Sequence, residues 1–359
     1  MNAEQTLRSR PARTAGGLMI LAATAGLVAV VAGKVFGLGG AAGAFETWRP
    51  VLYAYVVWCV FLCWGLVLRR GEAGRQLLFI LPAILFILAV AVFPTLFGVY
   101  IALTDWNLSS FDGPSFNGAA NLVRAATDPY FWNAMANMAF YIAAIGAEYA
   151  IAFGLALLLN REIRARRFFR IAFLIPFMLS PIAVSWMIGK SMMEFRFGPV
   201  SNFARLLGWD NPAFFASPWA ARISIEVIDA WMFIPLMTIL LLAGLQALPR
   251  EVGEAADIDG VNAWQKFWKI TFPLMLPVSI TAIVLRIIFK LKLADIVIAI
   301  TAGGPGGATD TVTSFIYREY RDRSNVGYGT MLAVIYLIVI IICMTTLLRA
   351  LRRHRQPLA

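Results

Sequence analysis

The chain has 359 residues, is 60% hydrophobic and 14% charged, and carries a formal net charge of +11 with a mean hydropathy of +0.74. That apolar content exceeds what a soluble core of this size needs and places the chain in a bilayer. The cationic surplus is a topology signal, because nucleic-acid binding would need a soluble basic face with stacking aromatics, and a single His with three Cys leaves no His-based triad, haem site or disulfide framework.

Eight apolar runs of about 20 residues predict transmembrane helices, at about 15–37, 50–68, 76–103, 131–159, 168–190, 222–248, 273–300 and 328–349. The first has an Arg-containing leader but no small-residue cleavage site ahead of a soluble domain, so it reads as a retained helix. Cys59 and Cys63 share a face of the second run, but no His or carboxylate joins them, and packing accounts for them. A short basic hinge, Arg69-Arg70-Gly71-Glu72-Ala73-Gly74-Arg75, separates the first two runs from the rest. Gly189-Lys190-Ser191 ends like a phosphate-binding Walker loop, but Val184 stands where that loop needs Gly. ATP is not bound by that route.

Charges inside the runs are the pointers to function. Glu148 lies in the fourth run, Asp229 in the sixth, and Arg286, Lys290, Lys292 and Asp295 in the seventh. On a continuous helix Lys292 and Asp295 are three apart and neutralise each other. Arg286 and Lys290 fall on nearly the opposite face with no acid beside them, and an unpaired cation at mid-bilayer costs about 3 kcal/mol. The rise per residue sets Asp229 near the depth of Lys290 and Glu148 near that of Arg286. Two readings stand: buried ion pairs between helices, or cations that face a translocation path. Trp231, between Asp229 and Pro235, either stacks on a sugar face or packs beside the proline. The glycine-rich Thr301-Ala302-Gly303-Gly304-Pro305-Gly306-Gly307 lacks a following Lys-Ser/Thr and predicts a flexible outer loop.

A polar segment separates the sixth run from the seventh: Glu254-Ala255-Ala256-Asp257-Ile258-Asp259-Gly260, then Trp264 to Phe267, Ile270 and Pro273. Glu254, Ala255 and Ala256 predict the opening of a short helix with an acidic first turn, Gly260 a turn with positive φ, and Pro273 the start of the next helix. The adjacent alanines leave a low surface that a partner can approach.

The pattern E-A-A-x-x-D-G, nine residues, then I-x-x-P resembles the EAA loop of ABC-importer permeases, with Phe272 where that family usually has Leu. From residue 76 onward the chain is similar to the carbohydrate permeases of the maltose type. Ala243 to Pro249 before the loop, Trp231 before Pro235, Asp295 before Thr301-Ala302-Gly303-Gly304-Pro305, and Asp128 to Ala134 with Asn137 carry that likeness. The loop at 104–130 is too short for the large domain that the maltose member has there.

The resemblance implies an all-α integral membrane protein with about eight transmembrane helices, a six-helix type I importer core preceded by two extra N-terminal helices. The expected divisions are a leader, two helices and hinge at 1–75, the core at 76–351 with a coupling loop at 249–272, and a basic tail at 352–359. It implies no enzymatic role, and Glu254, Ala255, Ala256, Asp259 and Gly260 as the ATPase-coupling residues. The implied partners are a second permease, two copies of a cytoplasmic ATPase that bind ATP and Mg, an extracytoplasmic solute-binding protein and the lipid bilayer, with no cofactor or metal in this chain and no nucleic acid. The solute is a sugar or sugar-like compound. A self-sufficient secondary transporter or channel is the alternative, and would need coupling-ion sites and often an inverted repeat, which the sequence does not show.

Orientation follows from Lys and Arg. Arg8, Arg10 and Arg13, Arg69, Arg70 and Arg75, Arg161 to Arg170, the loop with Arg250, Lys266 and Lys269, and the tail from Arg349 to Arg355 collect on one side. That side is expected to be the cytoplasm of a bacterial cell, with both termini inside its inner membrane.

Overall fold

In the computed structural model, residues 10–35, 47–111, 113–161 and 166–353 are described. Arg8 in the leader, Arg164, and the tail from His354, including Arg355, lie outside the described residues. The described elements are helices joined by turns, with only two isolated β-bridges, Thr104 to Phe116 and Asn107 to Asn325. Seven helices are long and apolar enough to cross a membrane, or eight when Phe168–Met178 and Pro181–Met192, bent by 96°, form one span.

Contacts divide the chain into two compact units, Met1–Phe97 and Gly98–Ala359. The first holds α1 (Arg10–Val35), α2 (Arg49–Arg70), α3 (Glu72–Ile87), a π-turn at Leu88–Val92 and the start of α4 (Phe93–Ala102). α1 and α2 approach backbone to backbone: a Cβ on Gly16 would fall 2.6 Å from the Gly65 carbonyl oxygen. Small residues at a crossing are how apolar helices gain dispersion contact in lipid. The hinge contracts to one residue, Gly71 at φ +58°, in the left-handed region open to glycine. The third run then folds back on α2. The Tyr55 hydroxyl donates to the Leu85 carbonyl, and Trp48 meets Phe93 and Phe97 edge-on at 5.7 and 5.4 Å. These ties set the boundary of the first unit within α4 rather than at the hinge.

The second unit continues with α5 (Ala120–Thr127), α6 (Pro129–Asn160), α7 (Arg166–Met178), α8 (Pro181–Val184) with a π segment at Ser185–Met192, and α9 (Pro199–Leu206). Then come α10 (Pro218–Gln246), α11 (Arg250–Ile258), α12 (Ala263–Lys266), a π-turn at Phe267–Thr271, α13 (Phe272–Lys290), α14 (Asp295–Ile300), α15 (Val312–Arg321) and α16 (Val326–Arg353). α10 is the axis of this unit. It packs against α6, α7 and α13, which buries Ile225, Ile228, Leu241 and Leu242. α6 and α10 start alike: Asp128 and Ser217 accept hydrogen bonds from the first turn, and Pro129 and Pro218 follow at N1.

Pro273 stands at the start of α13, as the sequence predicts, and a π-turn joins α13 to α12 so that one span runs from Ala263 to Lys290. The π-turn at Phe267–Thr271 ends two residues before it, as Leu88–Val92 ends two residues before Pro94. A wider turn gives the proline ring room and relaxes the missing N–H bond.

Two predicted spans are broken. The fifth bends at Ser180 and Pro181. The seventh, predicted as one helix over 273–300, stops at Lys290 and restarts at Asp295. The buried backbone freed by this second break is satisfied from neighbouring elements: the Leu291 carbonyl accepts from the Tyr336 hydroxyl at 2.9 Å, and the Leu293 carbonyl from the Thr311 hydroxyl and from that of Thr313 at 2.7 Å.

The glycine-rich loop at 301–307 is pinned rather than free. Asn133 and Asn137 donate to the Gly307 carbonyl at 2.6 and 3.0 Å, Asn137 also to Asp310 at 3.0 Å, and Arg222 to Ala308 at 2.7 Å. Thr309, Asp310 and Thr311 are buried. Burial lifts the Asp310 carboxyl above the usual carboxylate value, although Arg318 and Ser314 pull it the other way.

Candidate functional site

The intramembrane charges meet in one buried cluster in the second unit. α6 supplies Glu148, α10 supplies Glu226 and Asp229 three residues apart on one face, and α13 supplies Arg286 and Lys290 four apart. Arg286 pairs with Glu148, through its Nε and through Nη2 at 2.9 Å, and with Asp229. The Lys290 ammonium reaches Glu148 at 2.9 Å, Glu226 at 2.8 Å and Asp229. Both cations therefore touch both acids that depth assigned one to each. Arg286 also lies 4.3 Å over the Phe233 ring. Arg286, Lys290, Glu148 and Asp229 are all buried, and three carboxylates face two cations, one negative charge in excess when all are ionised. Glu226 escaped the sequence reading, although its i, i+3 spacing to Asp229 was a legible signal.

Lys292 and Asp295 do not neutralise each other. The helix stops between them, so the i, i+3 relation that would bring them together is lost, and neither forms an ion pair with any described residue. Both are exposed in this chain, and both line a cavity of about 310 Å³. The two broken spans converge there. Phe177, Leu179 and Pro181 come from the α7–α8 bend, Asp229 and Phe233 from α10, Phe289 from α13, and Lys292 to Ile296 from the second break. Non-helical backbone at membrane depth is tolerated where it is buried in protein or lines a cavity, and here the same residues do both. Phe177, Phe233 and Phe289 surround one another with centroids 5.3 to 6.3 Å apart. Asp229 belongs to the cavity and to the charge cluster at once.

Trp231 points elsewhere. It lines a separate groove with Ile151, Phe168, Phe173 and Pro235, without a charged residue among its lining. Larger grooves in the first unit, such as the one between Tyr55, Trp64 and Phe86, are apolar as well.

The polar segment after α10 is a helix, a turn and a second helix. α11 begins at Arg250, so Glu254 sits a turn inside it and Glu251 occupies the acidic first turn. Glu254, Ala255 and Asp259 are exposed, and no described side chain pairs with the Glu254 carboxylate. Ala256 faces inward, 3% exposed, and its carbonyl accepts from the Val261 N–H, which closes the turn. Gly260 takes φ +69° with open space where a Cβ would stand. Lys266 reaches back to Asp257 at 2.7 Å and to the Gly253 carbonyl at 2.9 Å, and Asn262 and Gln265 form a capping box. The result is a braced hairpin that leaves Ile258 and Trp264 exposed at its surface.

The sequence profile of the binding-protein-dependent transport system inner membrane component family matches residues 148–356, which include the charge cluster, the cavity and this hairpin. The trehalose/maltose transport system permease protein of Thermococcus litoralis is 30% identical over 275 residues, 76% of this chain and 92% of that one. The sulfoquinovosyl glycerol transport system permease protein of Agrobacterium fabrum is 32% identical over 294 residues, 80% and 94% of the two chains. Among solved structures, a chain of a bacterial ABC transporter involved in the import of the acidic polysaccharide alginate superposes with a TM-score of 0.67 at 19% identity, over 79% of this chain and 96% of that one. The likeness to that structure is one of fold.

Proposed function

Because the chain belongs to the binding-protein-dependent transport system inner membrane component family and is a multi-span permease subunit rather than an enzyme, we propose that it forms half of the path by which an ATP-driven importer carries a sugar or sugar-like solute. Relatives named for trehalose/maltose and for sulfoquinovosyl glycerol transport support that solute class. The cavity at the two broken spans is the place for the solute, since it is where membrane-depth backbone and ionisable side chains meet. Coupling runs through the 249–272 hairpin to a separate ATPase, which binds ATP and Mg; a second permease and an extracytoplasmic solute-binding protein complete the assembly. A structural neighbour described as a bacterial alginate ABC transporter in complex with a periplasmic protein supports the last partner.

The observation that carries the coupling role is the α11 surface. An exposed carboxylate with no described partner stands a turn and a half from a glycine whose surroundings are open, on a hairpin braced from within. Such a surface is stable alone and accessible to another protein. In the assembled, reconstituted importer, Glu254→Lys and Gly260→Trp should lower solute-stimulated ATP hydrolysis at least about tenfold, the effect of losing ~1.4 kcal/mol of contact. The detergent melting of the subunit should stay close to that of the unaltered chain for Glu254→Lys, because Glu254 holds no described side chain. Full hydrolysis in Gly260→Trp would refute the role.

A further inference from the structure

We propose that the groove between α2 and α3 holds one tail of an anionic phospholipid, with Arg70 and Arg75 binding its phosphate. The two helices touch beside the hinge, where a Cβ on Gly74 would fall 2.4 Å from the Leu66 carbonyl oxygen. They are tied again by the hydrogen bond from Tyr55 to Leu85. Along the pair runs a groove walled by Val60, Trp64 and Val67 on one side and Leu78, Pro82 and Phe86 on the other, with no charged side chain in its lining. Its length decides between occupants. From Val67 to Tyr55 it covers about 18 Å at the helical rise per residue. The hinge joins two spans, so it stands at headgroup level, and the hydrocarbon of one leaflet is about 15 Å deep. The groove therefore serves one leaflet. A transmembrane helix of another subunit needs about twice that length, whereas a lipid tail in the leaflet on the hinge side needs only this.

The mouth of the groove sets the headgroup. Arginines at span ends are ordinary in membrane proteins; the register of these two is not. Arg70 follows Val67 by three residues and Arg75 precedes Leu78 by three, so both continue the lining faces past the end of the groove. Both are exposed. Glu72 accepts from one Nη of Arg75 at 2.7 Å, an exposed pair of the kind that contributes little, and Arg70 has no ion pair among the described residues. Arg13 and Arg69 stand at the same level on the α1 side, since a Cβ on Gly16 would fall 3.0 Å from the Arg69 nitrogen. These four cations face the single acid Glu72. A guanidinium gives a phosphate two parallel hydrogen bonds. A headgroup with its own ammonium brings that charge against the arginines, whereas an anionic headgroup meets attraction alone. The site lies wholly in the first unit, apart from the solute cavity and the coupling hairpin, and gives the two extra helices a task of their own.

The test is native mass spectrometry of the full chain, released from detergent micelles that contain equal amounts of dioleoyl phosphatidylglycerol and dioleoyl phosphatidylcholine. Phosphatidylglycerol should stay bound at least about tenfold over phosphatidylcholine, a ratio of ~1.4 kcal/mol. Arg70→Gln with Arg75→Gln should bring the two lipids within about twofold of each other. Val60→Trp, which fills the groove and keeps all four arginines, should lower phosphatidylglycerol retention at least about fivefold. Arg349→Gln, at an exposed position on α16, should change neither. Every altered side chain is exposed, so the fold is kept, and circular dichroism checks it. Equal retention of the two lipids by the unaltered chain would leave only unselected boundary lipid and overturn the site. Undiminished retention in Val60→Trp, or an equal loss in Arg349→Gln, would leave only attraction to surface charge and overturn it as well. So would phosphatidylglycerol that is carried by the isolated chain and absent from the assembled importer, which would give the groove to the second permease.

Discussion

Lys290 contacts three carboxylates on two other helices, so one side chain fixes the relation of α6, α10 and α13. Removing it leaves Arg286 alone against three acids. Breaking a buried pair in this way costs about 3 to 5 kcal/mol because the remaining charges stay buried without compensation. Lys290→Met should therefore lower detergent melting and membrane yield sharply. Adding Asp229→Leu returns the cluster to the original excess of one negative charge, and should recover most of the loss. Glu226→Gln removes that excess and keeps an acceptor for Lys290, so it should melt at or above the unaltered chain. A normal melting profile for Lys290→Met alone would end the structural account of the cluster. The sequence made four of the five members visible, since charges in apolar runs stand out. It could not show that both cations reach both acids, because depth along a helix says nothing about the angle at which helices cross.

At the scale of elements, breaks marked by proline were open to sequence reading and the others were not. The bend at Ser180-Pro181 carries its own signal. The break at Leu291-Lys292-Leu293-Ala294 has neither Gly nor Pro and reads as continuing helix. It is held by hydroxyls from distant segments, Tyr336 on Leu291 and Thr311 with Thr313 on Leu293. Tyr336→Phe and Thr313→Val should each cost about 1 kcal/mol and raise hydrogen exchange over residues 291–296; unchanged exchange in both would mean the break is stable without them. The glycine-rich loop reads as flexible because its glycine content is legible, while Asn133, Asn137 and Arg222, which hold it, lie far away in sequence. Asp310 gives this loop a pH dependence. Its folded carboxyl sits above the ordinary 3.8, so the folded state binds more protons than the unfolded state between the two values. Stability contributed there is complete below 3.8, declines as pH rises through the raised folded value, and is level beyond it. Protection factors over residues 301–311 should follow that decline in the unaltered chain, and Asp310→Asn should flatten it.

For the whole molecule, the class and the helix-turn-helix shape of the 249–272 segment were legible because hydropathy and a fixed motif are local properties, whereas the parity of the membrane crossings depends on one bent pair. If Phe168–Met178 and Pro181–Met192 cross together, the chain crosses eight times and both termini share a side; if they re-enter, the 249–272 hairpin and the C-terminus move to the opposite face. The distribution of cations argues for a crossing. Arg161 to Arg170 precede the bent pair, whereas Arg196 and Arg205 after it are accompanied by Glu194 and Asp210. The hairpin itself carries Arg250, Lys266 and Lys269, and its acids weigh little in orientation. A variant with Cys59, Cys63 and Cys343 replaced by Ala, and one new Cys at a time at the exposed positions Asn160, Asp210 or Glu251, reads the parity directly. On intact cells a membrane-impermeant thiol reagent should label Asp210→Cys and spare Asn160→Cys and Glu251→Cys until the membrane is opened. Labelling of Glu251→Cys with protection of Asp210→Cys would make the bent pair re-entrant, place the hairpin away from any cytoplasmic ATPase, and remove the coupling role with it.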